Sequence, residues 1–219
     1  SNNFATFNNL NYPSTGAAVS FSDGNTIVTT QDASANYFGG TSTLGMTAGK
    51  WYCEFKASSL TGAGMVGITG IPAEQARNSQ QTSYTANGFS YVNDGNKKTD
   101  AVGSAYGATY TTSNVIGIAV DLDNLKIYFA KDNTWQDSGD PTSGATGTGA
   151  AFTTPEGHYV FSCADNSSGA STWGINCGGC SGFVISSAES DENGYGNFEY
   201  APPSGYLALC TKNLGSDGG

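Results

Sequence analysis

The stretch Val115-Ile116-Gly117-Ile118-Ala119-Val120-Asp121-Leu122 constrains the fold most, because Ile116, Ile118, Val120 and Leu122 recur at period two. That spacing gathers four apolar side chains on one face of a strand and scatters them around a helix. After the polar pair Asp123-Asn124 the pattern resumes in Leu125-Lys126-Ile127-Tyr128-Phe129-Ala130, which predicts a hairpin closed by a two-residue turn. Lys50-Trp51-Tyr52-Cys53-Glu54-Phe55-Lys56 alternates as cleanly, with Trp51, Cys53 and Phe55 on one face and Tyr52, Glu54 and Lys56 on the other. This predicts a half-buried strand. Shorter strands are expected at 26–29, 65–69, 88–92, 158–164 and 172–176, with Asn93-Asp94-Gly95 as a tight turn.

Composition agrees with the periodicity. The chain of 219 residues holds 31 glycines and only 12% charged residues, which disfavours long helices. The expected fold is therefore all-β, an antiparallel β-sandwich with few or no helices, in one domain spanning 1–219. Residues 1–25 read as a lead-in segment, 26–180 as the core, and 181–219 as an insertion and C-terminal segment whose Tyr206-Leu207-Ala208-Leu209 packs back on the sandwich. The low-complexity run 137–150 is expected to be a flexible surface loop, and residues 99–113 an exposed loop. A formal charge of -10, with eight Lys plus Arg, argues against a nucleic-acid partner. No apolar run approaches the ~18 residues of a membrane span, and the start Ser1-Asn2-Asn3-Phe4 lacks the pattern of a signal peptide. The expectation is a soluble chain, without membrane insertion, that is processed or part of something longer.

Residues that carry chemistry form no recognisable catalytic pattern. The single histidine, His158, stands at the start of an expected strand and has no Gly-x-Ser-x-Gly elbow to serve. Cys177 and Cys180 have the spacing of a metal or redox pair, but a structural zinc site needs a second pair. Free thiols, a local Cys177–Cys180 disulfide and a metal pair all stay open. Cys53 and Cys163 read as small apolar residues inside strands. Asp121-Leu122-Asp123-Asn124 fails the calcium-loop pattern, which wants an oxygen ligand and a glycine where Leu125 and Lys126 stand. Glu54 lies in a strand without the partner carboxylate that glycoside hydrolysis requires. No enzyme activity, cofactor or metal is expected. Tyr84, Tyr106 and Tyr110, set among small residues, and Trp135 at a hairpin end are the candidate partner-binding side chains.

Several segments in order resemble the SPRY domain, a concanavalin-like jelly-roll sandwich used as a protein-binding module. They are Gly49-Lys50-Trp51-Tyr52-Cys53-Glu54-Phe55, Val66-Gly67-Ile68, Tyr91-Val92-Asn93-Asp94-Gly95-Asn96-Lys97, and the hairpin from Ile116 to Asp132. Together they cover residues 45–180. The chain ends are similar to those of SPRY-like proteins of tailed bacteriophages: Phe4-Ala5-Thr6-Phe7-Asn8 at the start, and Tyr200-Ala201-Pro202-Pro203-Ser204-Gly205-Tyr206 through Leu214 at the end. The resemblance implies a non-enzymatic virion protein, such as a tail-fibre, appendage or capsid-surface component, assembled in the host cytoplasm. Its partners would be other virion proteins or a host-surface protein or glycan. The alternatives are a carbohydrate-binding module for host glycan and a polysaccharide-degrading enzyme on the same sandwich. Homo-oligomerisation stays open, since no heptad or collagen-like period appears. The run 137–150 and the insertion Ser181 to Gly196 depart from the SPRY pattern, so no partner-binding surface carries over.

Overall fold

The computed structural model describes residues 1–11, 19–30, 38–70, 87–166 and 169–217. Two antiparallel sheets face each other. The first runs in the order β1 (Ser20–Ser22), β2 (Ile27–Thr29), β14 (Thr172–Asn176), β4 (Lys50–Ser59), β9 (Ile116–Asp121), β10 (Lys126–Lys131) and β11 (Thr134–Trp135). β12 (Phe152–Thr153) pairs with β10, and β15 (Leu207–Ala208) runs parallel to β4. The second sheet runs β3 (Phe38–Thr41), β13 (Tyr159–Asn166), β5 (Ala63–Gly70), β6 (Gly88–Val92), β7 (Asn96–Thr99) and β8 (Val102–Ala105). A short helix, α1 (Thr211–Asp217), follows β15. Among the described residues no helix is long and apolar enough to cross a membrane.

The period-two pattern places the core between the sheets. Trp51, Cys53 and Phe55 from β4 and Ile116, Ile118 and Val120 from β9 meet Val66 and Ile68 from β5 and Phe161 and Cys163 from β13. What the alternation does not show is that β4 is buried on its other face as well, from Trp51 through Phe55. There Tyr52, Ala119 and Tyr128 pack under Phe198, Tyr206 and Ala208 from the C-terminal segment. The expectation of a half-buried strand is thus corrected, because a third layer covers the sheet.

Two connections also differ from expectation. Asp121 pairs with Lys126, so the hairpin turn spans Leu122 to Leu125 rather than two residues, and Leu125 takes a φ of 59°. The cause is Asp121, whose carboxylate accepts hydrogen bonds from Asn124 N (2.9 Å) and Nδ2 (2.8 Å) and so caps a wider turn. The run 137–150, expected to be a flexible loop, includes 3-10 turns at Gln136–Ser138 and Pro141–Thr146. Asp140 Oδ1 accepts from Thr142 N at 2.8 Å, and the buried Pro141 accepts from the Tyr206 hydroxyl at 2.9 Å. Gly147 and Gly149 allow close approach here, since a Cβ would lie 2.6 Å from the Lys126 side chain and 2.5 Å from the Asp137 carbonyl oxygen, while Thr142, Thr146 and Thr148 stay exposed.

Gly67, in the Val-Gly-Ile segment, sits where a Cβ would lie 1.9 Å from the Phe89 carbonyl oxygen of the neighbouring strand. Backbone, not a flexible side chain, fills that space. Gly67→Ala is expected to lower stability by about 3 kcal/mol through overpacking. Gly103→Ala, whose nearest neighbour is 3.9 Å away, is expected to change stability by less than about 1 kcal/mol. Urea unfolding of both variants checks the contrast, and equal costs would refute it.

Candidate functional site

Glu54, in the middle of β4, is fully buried. Its Oε1 accepts from the Tyr52 hydroxyl (3.2 Å) and Tyr200 N (2.8 Å), and its Oε2 from Asn176 Nδ2 (3.1 Å) and Glu199 N (2.9 Å). Gly117 stands opposite Glu54 in the sheet, and a Cβ there would come within 2.7 Å of the Tyr52 hydroxyl, so glycine makes room for that donor. Burial pushes the Glu54 carboxyl up to about 7 from its ordinary 4.5, and the four donors pull it part of the way back. Both oxygens are engaged within the protein. Glu54 therefore holds the C-terminal segment on the sheet and is closed to a polysaccharide.

The aromatic candidates divide. Tyr106 and Tyr110 are 8% and 3% exposed and lie in the main core, which corrects their expected place on an exposed loop. Tyr106 meets Tyr91 edge-on with ring centroids 5.6 Å apart. Tyr110 donates to the carbonyls of Gly64 (3.1 Å) and Tyr91 (3.0 Å), so its polar tip is satisfied inside. The two rings turn inward beside Tyr91 while the residues around them stay largely exposed. Trp135 is half-buried against the Tyr52 cluster. Tyr84 lies outside the described residues.

The other candidates take structural places. His158 is exposed just ahead of β13, at the strand edge. Asp121 accepts an ion pair from Lys50 Nζ at 3.3 Å, and Asp123 Oδ1 accepts from Gly49 N at 2.8 Å. Among the described residues no group of three or more His, Cys, Asp or Glu side chains is placed to hold a metal ion. The local disulfide between Cys177 and Cys180 is not formed: Cys180 is exposed, while Cys177 is buried with its Sγ 3.2 Å from that of Cys53. Antiparallel pairing of β14 with β4 brings Cys177 to Cys53 instead.

A polar concavity forms where the insertion meets α1. Asp191 shapes the rim: its Oδ1 accepts from Tyr195 N at 2.8 Å, and its Oδ2 from Ala208 N (2.9 Å) and Asn213 Nδ2 (2.8 Å). Gly194, at a φ of 74°, turns the chain between them. The concavity of about 490 Å³ is lined by Asn193, Tyr195, Lys212 and Ser216, and the Lys212 ammonium lies 5.1 Å from the centre of the Tyr195 ring. An amphipathic ring, a cation, an amide and a hydroxyl on one open surface suit a polar partner such as a hydroxylated or acidic group. Composition and periodicity did not find these residues. The available signal was Gly194-Tyr195-Gly196, an aromatic held between two glycines in the insertion. A second hollow of about 430 Å³ is lined by residues including Asn3, Phe4 and Cys180.

Two outcomes separate packing from recognition. Tyr106→Ala and Tyr110→Ala are each expected to cost about 3–5 kcal/mol of stability, as core aromatics do, when measured by urea unfolding. Near-neutral values would return them to the surface. Glu54 holds a proton in the folded chain from pH 4.5 to about 7 that the unfolded chain releases. Its contribution is full below 4.5 and falls as pH rises through about 7, by at most about 3 kcal/mol. The wild-type stability should therefore fall relative to Glu54→Gln between pH 4.5 and pH 8, and a gap that stays constant would refute the assignment.

No protein-family model and no curated protein matches the sequence. Among solved structures the chain is similar to the SPRY domain of human HERC1, at 16% identity and a TM-score of 0.58, over 81% of this chain and 99% of that one. The chain has a SPRY-like fold.

Proposed function

We propose that the chain is a non-enzymatic binding module of a tailed-bacteriophage particle, structural or adhesive, that joins another virion protein or the host surface. The observation that supports it most is the meeting of the two chain ends. Phe4 bridges Cys210, Ala5 N donates to Leu209 O at 2.9 Å, and Thr211 N donates to Asn3 O at 2.9 Å. The two sequence frames that resemble bacteriophage proteins, about two hundred positions apart, thus form one hydrogen-bonded unit beside the SPRY-like core. A shared frame of this kind is expected where two segments are kept for one structural purpose. The sandwich below it supplies a rigid support, as in interaction modules that bind through loops. Engagement of Glu54 by the C-terminal segment speaks against polysaccharide cleavage through that residue.

The concavity around Tyr195 and Lys212 favours a second reading, recognition of a host-surface glycan. An aromatic ring beside hydrogen-bonding side chains fits a sugar better than the core tyrosines do. Mass spectrometry of purified particles should find the chain, and the labelled protein should bind host cells or a purified virion protein. Tyr195→Ala and Lys212→Ala, both outside the core, are expected to weaken a glycan interaction about tenfold or more without shifting the unfolding midpoint. Particles that lack the chain, or shortened host polysaccharide after incubation with it, would overturn the leading reading. Silence on a glycan array would remove the second.

A further inference from the structure

We propose that Cys53 and Cys177 are a disulfide site, reduced in a reducing cytoplasm and closed under oxidising conditions into a covalent tie between β4 and the end of β14. Asn176 pairs with Glu54, so one step further along the same antiparallel register Cys177 stands opposite Cys53. Directly opposed residues in such a ladder have Cα atoms about 4.5–5.5 Å apart, inside the range a disulfide requires. The side chains also point at each other, with sulfurs 3.2 Å apart. Both are free thiols in the inter-sheet core, at 0% and 1% exposure. The odd number of cysteines thus resolves into one opposed pair and three others, Cys163, Cys180 and Cys210.

Burial decides when the bond forms. Neither sulfur is open to a bulky oxidant in the folded chain, so exchange takes place during folding or local opening. With oxidised glutathione, one cysteine thiolate attacks a glutathione sulfur, giving a mixed disulfide and releasing one glutathione thiolate. The second cysteine then attacks the protein sulfur of that mixed disulfide and releases the second glutathione. The two protein sulfurs are oxidised and glutathione is reduced, with the two thiol protons passing to the two glutathione thiolates. The bond links positions 124 apart in sequence, so it restrains the unfolded chain strongly. It also lies beside Glu54 and Asn176, where the C-terminal segment is held.

Refolding the full chain in a glutathione redox buffer, blocking the remaining thiols and mapping unreduced peptides by mass spectrometry tests the site. The expected result is a cross-linked pair of peptides bearing Cys53 and Cys177, the other three cysteines blocked, and a thermal midpoint several degrees above that of the reduced chain. Cys180→Ser should keep the link and Cys53→Ala should abolish it. A Cys177–Cys180 link, or five blockable thiols after oxidation of the wild-type chain, would overturn the proposal without relying on any variant.

Discussion

A fully buried carboxyl group organises this protein. Glu54 lies at the centre of the first sheet, and removing such a group from water is costly unless its oxygens are hydrogen-bonded. Two of its four donors are the backbone N–H groups of Glu199 and Tyr200, and a third belongs to Asn176, which also donates to the Asn197 carbonyl at 2.9 Å. Satisfying one side chain therefore requires the C-terminal segment to return to the sheet. Once it is there, Phe198, Tyr206 and Ala208 cover Tyr52, Ala119 and Tyr128, and Leu207 and Ala208 extend the ladder along β4. The third layer follows from the same contact.

A second buried acid extends this order outward. Asp191 joins the insertion to β15 and, through Asn213, to α1, while Asn213 Nδ2 also reaches the Ala208 carbonyl at 2.9 Å. Because these groups are shielded from water, each is a defined geometric restraint rather than a loose surface contact. The Tyr195 and Lys212 surface rests on them. That is why the concavity has a built frame although its lining is polar and open. The proposed cross-strand disulfide would reinforce the inner end of the same chain of contacts.

Strand content was readable where large apolar residues alternate or a turn signal follows. β9 and β10 followed from alternation, and β6 and β7 from the Asp94-Gly95 turn, because period and positive φ are local properties. Placement of polar aromatics was not readable. Tyr106 and Tyr110 lie among glycine, alanine, serine and threonine, and the same sequence suits an exposed loop or a loop that folds its rings under the sandwich. The second outcome prevails because their rings fill space beside Tyr91 and Phe129, and nonlocal packing of that kind leaves no periodic trace. The Gly- and Thr-rich run failed for a related reason, since low complexity marks conformational freedom only where nothing tethers the chain.

By itself the sequence determined an all-β sandwich and its inward face, since these depend on local periodicity and on the residue types present. Only the tertiary structure decided the sulfur that faces Cys177, the donors that occupy Glu54, and the residues that meet at the concavity. The first two join segments far apart in sequence, up to 146 positions for Glu54 and Tyr200, and the third joins the insertion to the C-terminal helix. Their meeting is set by strand register and by the need to satisfy buried polar groups, and neither has a local signature in the chain.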